Sequence, residues 1–341
     1  MYLGYTLIKL EIGGINMYKR IVMFLLVAVT LVLAACGNDN KESSDGGDKD
    51  TKGLDTRILT IATGGSSGPY NIIATTLADG YSKEFGVNSR TQTTGASVEN
   101  LNLMAQEKVE MSFVMSDALL QALEGTDGFA EKIDNVQILA NLYPNYVQVI
   151  TTGKTGVESI DDIKGKRVAV GDQGSGVEIA TKAVLEAHGI TYDDIEVDYL
   201  GYAEAADALK SGAIDVAFTT SGLPNASVME LQNSVDLKIV PIEAEAVETL
   251  KESVPIFESL PIPAGTYGND EDIPTAAIRN ALVVRSDLSE DDVYELTKYL
   301  FENLDKLENS HQAAKDINLD EAQNISVGEL HPGAKRYYDE Q

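Results

Sequence analysis

Residues 57–85 read RILTIATGGSSGPYNIIATTLADGYSKEF, and they decide the fold because three patterns follow one another without a gap. Ile58 to Ala62 is apolar and β-branched, which suits a buried strand. Gly64, Gly65 and Gly68 permit a tight turn, and Ile73, Leu77, Tyr81 and Phe85 then recur at the spacing of one helix face. A helix that leaves such a turn directly has first-turn amides without intrahelical partners, and its dipole favours negative charge there. The stretch is therefore expected to form half of a small-molecule cleft, with an anion site at the start of the helix.

The same plan continues downstream. VNSRTQTT (87–94) alternates like a strand, Gly95-Ala96 turns, and a helix from Ser97 carries Leu101, Met104 and Ala105. MSFVM (111–115) reads as a buried strand, with a helix after it that ends near Gly125. From Arg167 the order returns: RVAVG, the turn DQGSG, a helix with Ala180, Val184 and His188 on one face, the strand IEVDYL (195–200), a helix stopping at Gly212, and the strand IDVAF (214–218). Alternation of this kind implies parallel sheets with helices on both faces. The expected fold is α/β, two Rossmann-like open-sheet lobes joined by two crossover segments, with a hinge-closing cleft between them. Lobe one comprises residues 57–150 and 261–341, and lobe two residues 151–260. YVQVITTG (146–153) and a stretch within 262–287 make the crossings. Ser289 to Leu307 is expected as one helix with Val293, Leu296, Leu300 and Leu304 on its buried face, and HPGAKRYYDEQ (331–341) as a surface segment packed by its tyrosines. Ligands bind such sheets beyond the carboxyl ends of the strands, where these glycine and serine turns lie.

Composition narrows the function. The 341 residues hold 26 Lys plus Arg against 54 Asp plus Glu, a formal charge of -28, which argues against nucleic-acid binding. Lys19 and Arg20 precede the apolar run Ile21 to Ala35, which ends in LAAC at Cys36, the pattern of a secretory signal and too short for a permanent span. Residues 1–35 are read as this signal peptide, with translation starting at Met17 and residues 1–16 untranslated. LAAC resembles a bacterial lipobox, and the resemblance implies cleavage before Cys36 and lipid attachment to its sulfur, which places the protein on the extracytoplasmic face of the cell membrane. With Cys36 so used, no thiol remains for disulfide or thiolate chemistry. Residues 36–56, the lipidated cysteine followed by a polar, Gly- and Ser-containing stretch, form a flexible tether.

TGGSSGPY (63–70), TTGASVENLNLM (93–104), VGDQGSGVE (170–178), LKSGAIDVAF (209–218), SGLPN (221–225), IPAGTY (262–267), VYELTKYLFEN (293–303) and HPGAKRYY (331–338) resemble, in order, the blocks of the TAXI-type solute-binding subunits of TRAP transporters. The resemblance implies a type II periplasmic-binding-protein fold, a monomer without cofactor, and delivery of glutamate or a related dicarboxylate to sodium-coupled permease subunits in the membrane. Position by position it implies a ligand shell of Gly65, Ser67 and Tyr70 from the first turn, Ser97 and Asn100 from the second, and Ser116 after the third strand. Lobe two would add Ser175, Gly176 and Val177, with Ser221, Gly222 and Pro224 nearby. The sequence departs from those blocks at Ala96, where glycine is usual, at Val177, where threonine is usual, and at Asn71, where a second aromatic is common. Arg90 and Arg167 are the arginines nearest the lobes' strand ends, and Arg167 is expected to face away from the cleft, so main-chain amides and hydroxyls would hold the carboxylate, each contributing roughly 1.5–3 kcal/mol.

Other chemistries compete. Gly64 to Gly68 satisfies G-x-S-x-G, the nucleophile elbow of a serine hydrolase with Ser66 as nucleophile, but the elbow follows the first strand and His188, His311 and His331 have no orienting acid in view. The turn at Gly171, Gly174 and Gly176 lacks dinucleotide spacing, and three scattered histidines give no metal-ligand pair. A ligand-sensing lipoprotein without a permease is a further reading. Capture without chemistry is the expectation: no enzyme, no metal.

Overall fold

The structure, a computed structural model, describes residues 53–341. The expected signal peptide, Cys36 and the tether as far as residue 52 lie outside the described residues. Among the described residues no helix is long and apolar enough to cross a membrane.

β1 (Ile58–Ala62), α1 (Pro69–Phe85), β2 (Asn88–Gln92), α2 (Ser97–Ala105), β3 (Met111–Met115) and α3 (Ser116–Glu124) form a first unit. A long strand, β4 (Val136–Thr152), leads to a second: β5 (Arg167–Ala169), α4 (Gly176–Ala187), β6 (Glu196–Asp198), α5 (Tyr202–Ser211), β7 (Val216–Ser221) and α6 (Ala226–Gln232). β8 (Leu237–Val240), α7 (Ala244–Ser253), β9 (Glu258–Ile262) and a second long strand, β10 (Ile273–Arg285), follow. The chain closes with α8 (Glu290–Glu302), α9 (Leu304–Ser310), α10 (Leu319–Ala322) and α11 (Pro332–Asp339).

The strands pair in the order β2-β1-β3-β10-β4-β7-β5-β6, with β8 alongside β4 and β9 alongside β10. β1 runs parallel between β2 and β3, and β5 runs parallel between β6 and β7, so one plan is built twice. The parallel order expected of the two strand–helix units holds, and each set of three is extended by a reversed crossing strand: β10 is antiparallel to β3, and β4 to β7. These two long strands run in opposite directions between the halves and pair with each other. Pro144 faces Arg279 in that pair and the register shifts just beyond it, where the missing proline N–H interrupts the ladder.

Both faces of each half are packed. Ile73, Leu77 and Tyr81 of α1 meet Leu296 and Leu300 of α8 on one face of the first half, and Leu101 and Met104 of α2 meet Leu119 of α3 on the other. In the second half Ala180 and Val184 of α4 pack with Val168 and Phe218, while Leu209 of α5 packs with Val228 and Leu231 of α6. Fully burying a large apolar side chain contributes roughly 1.5–3 kcal/mol, so the helix faces read from periodicity are what hold the helices to the sheet.

Two readings change at the carboxyl end. The helix expected over 289–307 stops at Glu302 and restarts at Leu304. Asn303 breaks it, leaving helical geometry (φ -127°, ψ 25°) while its side-chain amide donates back to the Tyr299 carbonyl at 2.8 Å. The tyrosine-bearing tail is helical, as α11, capped by His331, and its Tyr338 hydroxyl donates to the Leu139 carbonyl at 2.9 Å.

Candidate binding site

The turns after β1 and β5 face each other. A β-carbon on Gly176, at the start of α4, would stand 2.7 Å from Ser97 Oγ and 2.8 Å from Met115 Sδ, both in the first half. One on Gly68 would stand 3.3 Å from the Tyr202 ring of the second half. The halves are thus in contact around a cavity of about 40 Å³, lined by the β1 turn, the start of α2, the β5 turn, the start of α5 and the end of β7.

Main-chain donors border that cavity, and those at the starts of α2 and α4 belong to residues the resemblance implied. Pro69 opens α1 and has no N–H, Gly68 donates to the Gly65 carbonyl, and Asn71 donates to the Gly68 carbonyl. The first-turn amide site expected on α1 is therefore reduced to Tyr70. Ser97 of α2 and Gly176 and Val177 of α4 line the cavity, and their amides have no hydrogen-bond partner among the described residues. Gly171 makes the α4 approach possible: its φ is +101°, and a β-carbon there would come within 2.8 Å of the Val177 side chain.

Of the residues picked from sequence, Gly65, Tyr70, Ser97, Ser175, Gly176, Val177 and Ser221 line the cavity. Their side chains are largely committed. Ser97 Oγ accepts from the Met115 amide at 3.1 Å, and Ser175 Oγ caps α4 by accepting from the Glu178 amide at 3.1 Å. Ser221 Oγ donates to the Gly222 carbonyl and accepts from Gln148 and Asn225. The Tyr70 hydroxyl donates to Asn280 Oδ1, and Asn280 in turn donates to Asn145 Oδ1 at 2.9 Å, a buried chain behind the cavity.

Ser67, Asn100, Ser116, Gly222 and Pro224 stand outside the lining. Asn100 is fully buried and donates to the carbonyls of Thr63 and Phe113 at 2.6 and 2.8 Å, so it ties the ends of β1 and β3 together behind the turn. Ser116 donates to the Arg279 carbonyl at 2.9 Å. Gly222 is pressed against Tyr143 and Ala313, and Pro224 follows a cis peptide bond. Ser67 is half-buried in the β1 turn.

Gly64, Gly68, Pro69, Gly95 and Ala96 of the first half's turns also line it, and Met115, Asn145, Gly171, Asp172, Leu200, Gly201, Tyr202 and Thr220, which the sequence reading did not assign to the site, complete the wall. Asp172 was visible as the acid inside the DQGSG turn of the VGDQGSGVE block; Thr220 and Asn145 carried no local signal, because long-range strand pairing brings them here. Burial pushes the Asp172 carboxyl up, and the neighbouring Glu204 and Glu99 push it further. No Lys, Arg or His lines the cavity among the described residues. Arg90 is exposed in the middle of β2, opposite Thr60, and Arg167 is paired with Asp215 at 2.7 Å.

A hydrolytic triad around Ser66 is not assembled among the described residues. His188 Nδ1 contacts the Val184 carbonyl at 2.8 Å, and the Nδ1 atoms of His311 and His331 accept from the amides of Ala313 and Gly333. Ser66 itself is exposed and lies outside the cavity lining.

Comparison with known families fits this architecture. Residues 61–341 match the NMT1-like family. The chain belongs to the NMT1-like family. Solved structures resemble this NMT1-like protein at low identity. The binding-protein component of an ABC phosphonate transporter from Pseudomonas aeruginosa superposes with a TM-score of 0.53 at 12% identity, over 76% of this chain and 79% of that one. A protein from Bordetella bronchiseptica gives 0.49 at 18% identity, over 84% and 81%. The periplasmic aliphatic sulphonate binding protein of Escherichia coli gives 0.41 at 11%, over 83% of each chain. The first of these supports the fold: the NMT1-like chain is α/β, of the type II periplasmic-binding-protein kind.

Proposed function

We propose that this chain is an extracytoplasmic solute-binding protein that closes on one small organic acid and delivers it to a membrane permease. The observation that carries the reading is that two glycine turns, one from each half of a duplicated sheet, shut on a cavity lined by residues whose main-chain amides have no hydrogen-bond partner among the described residues. Donors of this kind suit a carboxylate, and hydrogen bonds to a charged group contribute roughly 1.5–3 kcal/mol each. Hinge separation of the halves at β4 and β10 would admit the solute, with lobe one and lobe two divided as the sequence indicates. The Cys36 anchor would hold the protein at the outer face of the membrane, as a monomer that needs no cofactor.

The ordered sequence blocks favour a TRAP-type permease and glutamate or a related dicarboxylate. One observation favours a second reading, an ABC-type partner: the Pseudomonas structure that superposes on this chain is a component of an ABC phosphonate transporter. Calorimetry of the full-length protein with glutamate, glutamine, succinate, 2-oxoglutarate and methylphosphonate tests the core of the proposal. Saturable binding of one of them is expected. Failure of every member to bind at millimolar concentration would overturn it.

A further inference from the structure

The cavity wall holds a single formal charge. Asp172 bears it, in the turn after β5, and no hydrogen bond or ion pair engages its carboxylate among the described residues. Its two oxygens sit beside Gly201, 3.0 and 3.4 Å from where a β-carbon there would stand, and Glu204 Oε2 is 2.9 Å from the same point. Glu204 is exposed and stands outside the cavity lining, so it crowds Asp172 from the solvent side of Gly201 and leaves Asp172 as the charge on the wall. Burial and this like charge together raise the Asp172 carboxyl above its ordinary range. A second observation points to a missing occupant. Thr220 lines the cavity and is 1% exposed, and its hydroxyl has no partner among the described residues. A buried hydroxyl in that state is uncommon unless something polar meets it.

The remaining lining supplies the opposite preference. The unpaired amides of Ser97, Gly176 and Val177 are donors only, so they suit a carboxylate. A dicarboxylic acid with no amine would satisfy these amides while facing Asp172 with its second negative charge. A solute with both charges satisfies the two sets at once. We propose that the captured solute is an α-amino acid, its carboxylate on these amides and its ammonium against Asp172, and that Asp172 is the residue that distinguishes it from an acid without an amine. This rests on the solute-binding reading above and narrows its substrate class. A cavity of about 40 Å³ takes only a few water-sized groups. Amino acids with short side chains therefore require the least separation of the halves.

The test is calorimetry on the full-length protein, purified in detergent, with matched pairs that differ only in the amine: glycine and glyoxylate, alanine and pyruvate, glutamate and 2-oxoglutarate. The amino acid that binds best is expected to bind at least roughly tenfold more tightly than its oxo acid, a difference of about 1.4 kcal/mol. Asp172→Asn should remove that margin, by weakening the amino acid and by leaving the oxo acid no weaker than before, and Asp172→Glu, which keeps the charge, should restore part of it. Circular dichroism shows that each variant is folded. An oxo acid that binds as tightly as its partner, or an Asp172→Asn protein that keeps its amino-acid affinity, overturns the inference and leaves solute capture standing. Binding of methylphosphonate alone does the same. Absence of saturable binding by every compound overturns both.

Discussion

Asp117 sits in the first turn of α3 and is 2% exposed. One of its oxygens accepts from the Ala118 amide at 2.7 Å, and the other has no partner among the described residues. Burial pushes its carboxyl up to about 7. A raised carboxyl pKa means that the folded state binds more protons than the unfolded chain between the ordinary carboxylate range and about 7, so stability from this group falls as pH rises through that window. Asp117→Asn should therefore stabilise the protein at pH 8 by roughly 1–3 kcal/mol, with the gain shrinking toward pH 5, as followed by urea unfolding. His331 acts in the opposite sense. It is 2% exposed, it caps α11 through Nδ1, and burial lowers its pKa, so its contribution is present above its ordinary value near 6.5 and is lost as pH falls below it. Replacing it with Asn, which keeps a cap acceptor, should flatten the loss of stability below pH 6.5. Ala96 explains one departure noticed in the sequence. Its φ is +74° with ψ -142°, backbone that favours glycine. Such strain costs on the order of 1–3 kcal/mol, and Ala96→Gly should recover about 1 kcal/mol of it in the same unfolding measurement.

At the scale of elements, the start of α4 is the part most sensitive to volume. Gly176 lies in ordinary backbone, so alanine there changes packing alone, and its methyl would press on Ser97 Oγ and Met115 Sδ across the junction of the halves. Gly176→Ala is expected to hold the halves apart: solute affinity should fall by roughly tenfold or more in calorimetry, while the urea midpoint moves much less, since Met115 stands at the edge of the apolar packing and the helix faces that hold each half stay in place. Periodicity made α1 legible, since Ile73, Leu77, Tyr81 and Phe85 are the buried face the spacing predicts. It could not reveal the reversed direction of β4 and β10, because a strand buried on both faces has the same apolar pattern either way. Nor could it place the end of α8, where a side-chain hydrogen bond from Asn303 outweighs an apolar spacing that continues to Leu304. At the start of α1, Pro69 removes one donor and the local turn uses those of Gly68 and Asn71, and only the folded turn shows which remain.

For the whole molecule, the two-fold repetition of strand and helix was legible because glycine turns and strands recur in the same order. The composition of the cavity was not, since Asn145, Asp172, Tyr202 and Thr220 arrive there from separate strands and turns of the sheet. The acidity of the chain, -28 overall, slows approach of any anion at low salt but is screened beyond about 8 Å at physiological ionic strength, so local amides and Asp172 set affinity. The central claim is that one small solute is enclosed between the turn after β1 and the turn after β5. The most direct measurement is a crystal structure of the protein grown with the solute that calorimetry identifies. The account predicts one molecule in contact with the amides of both Ser97 and Gly176; a solute bound elsewhere, or touching one half only with the two turns facing apart, would contradict it.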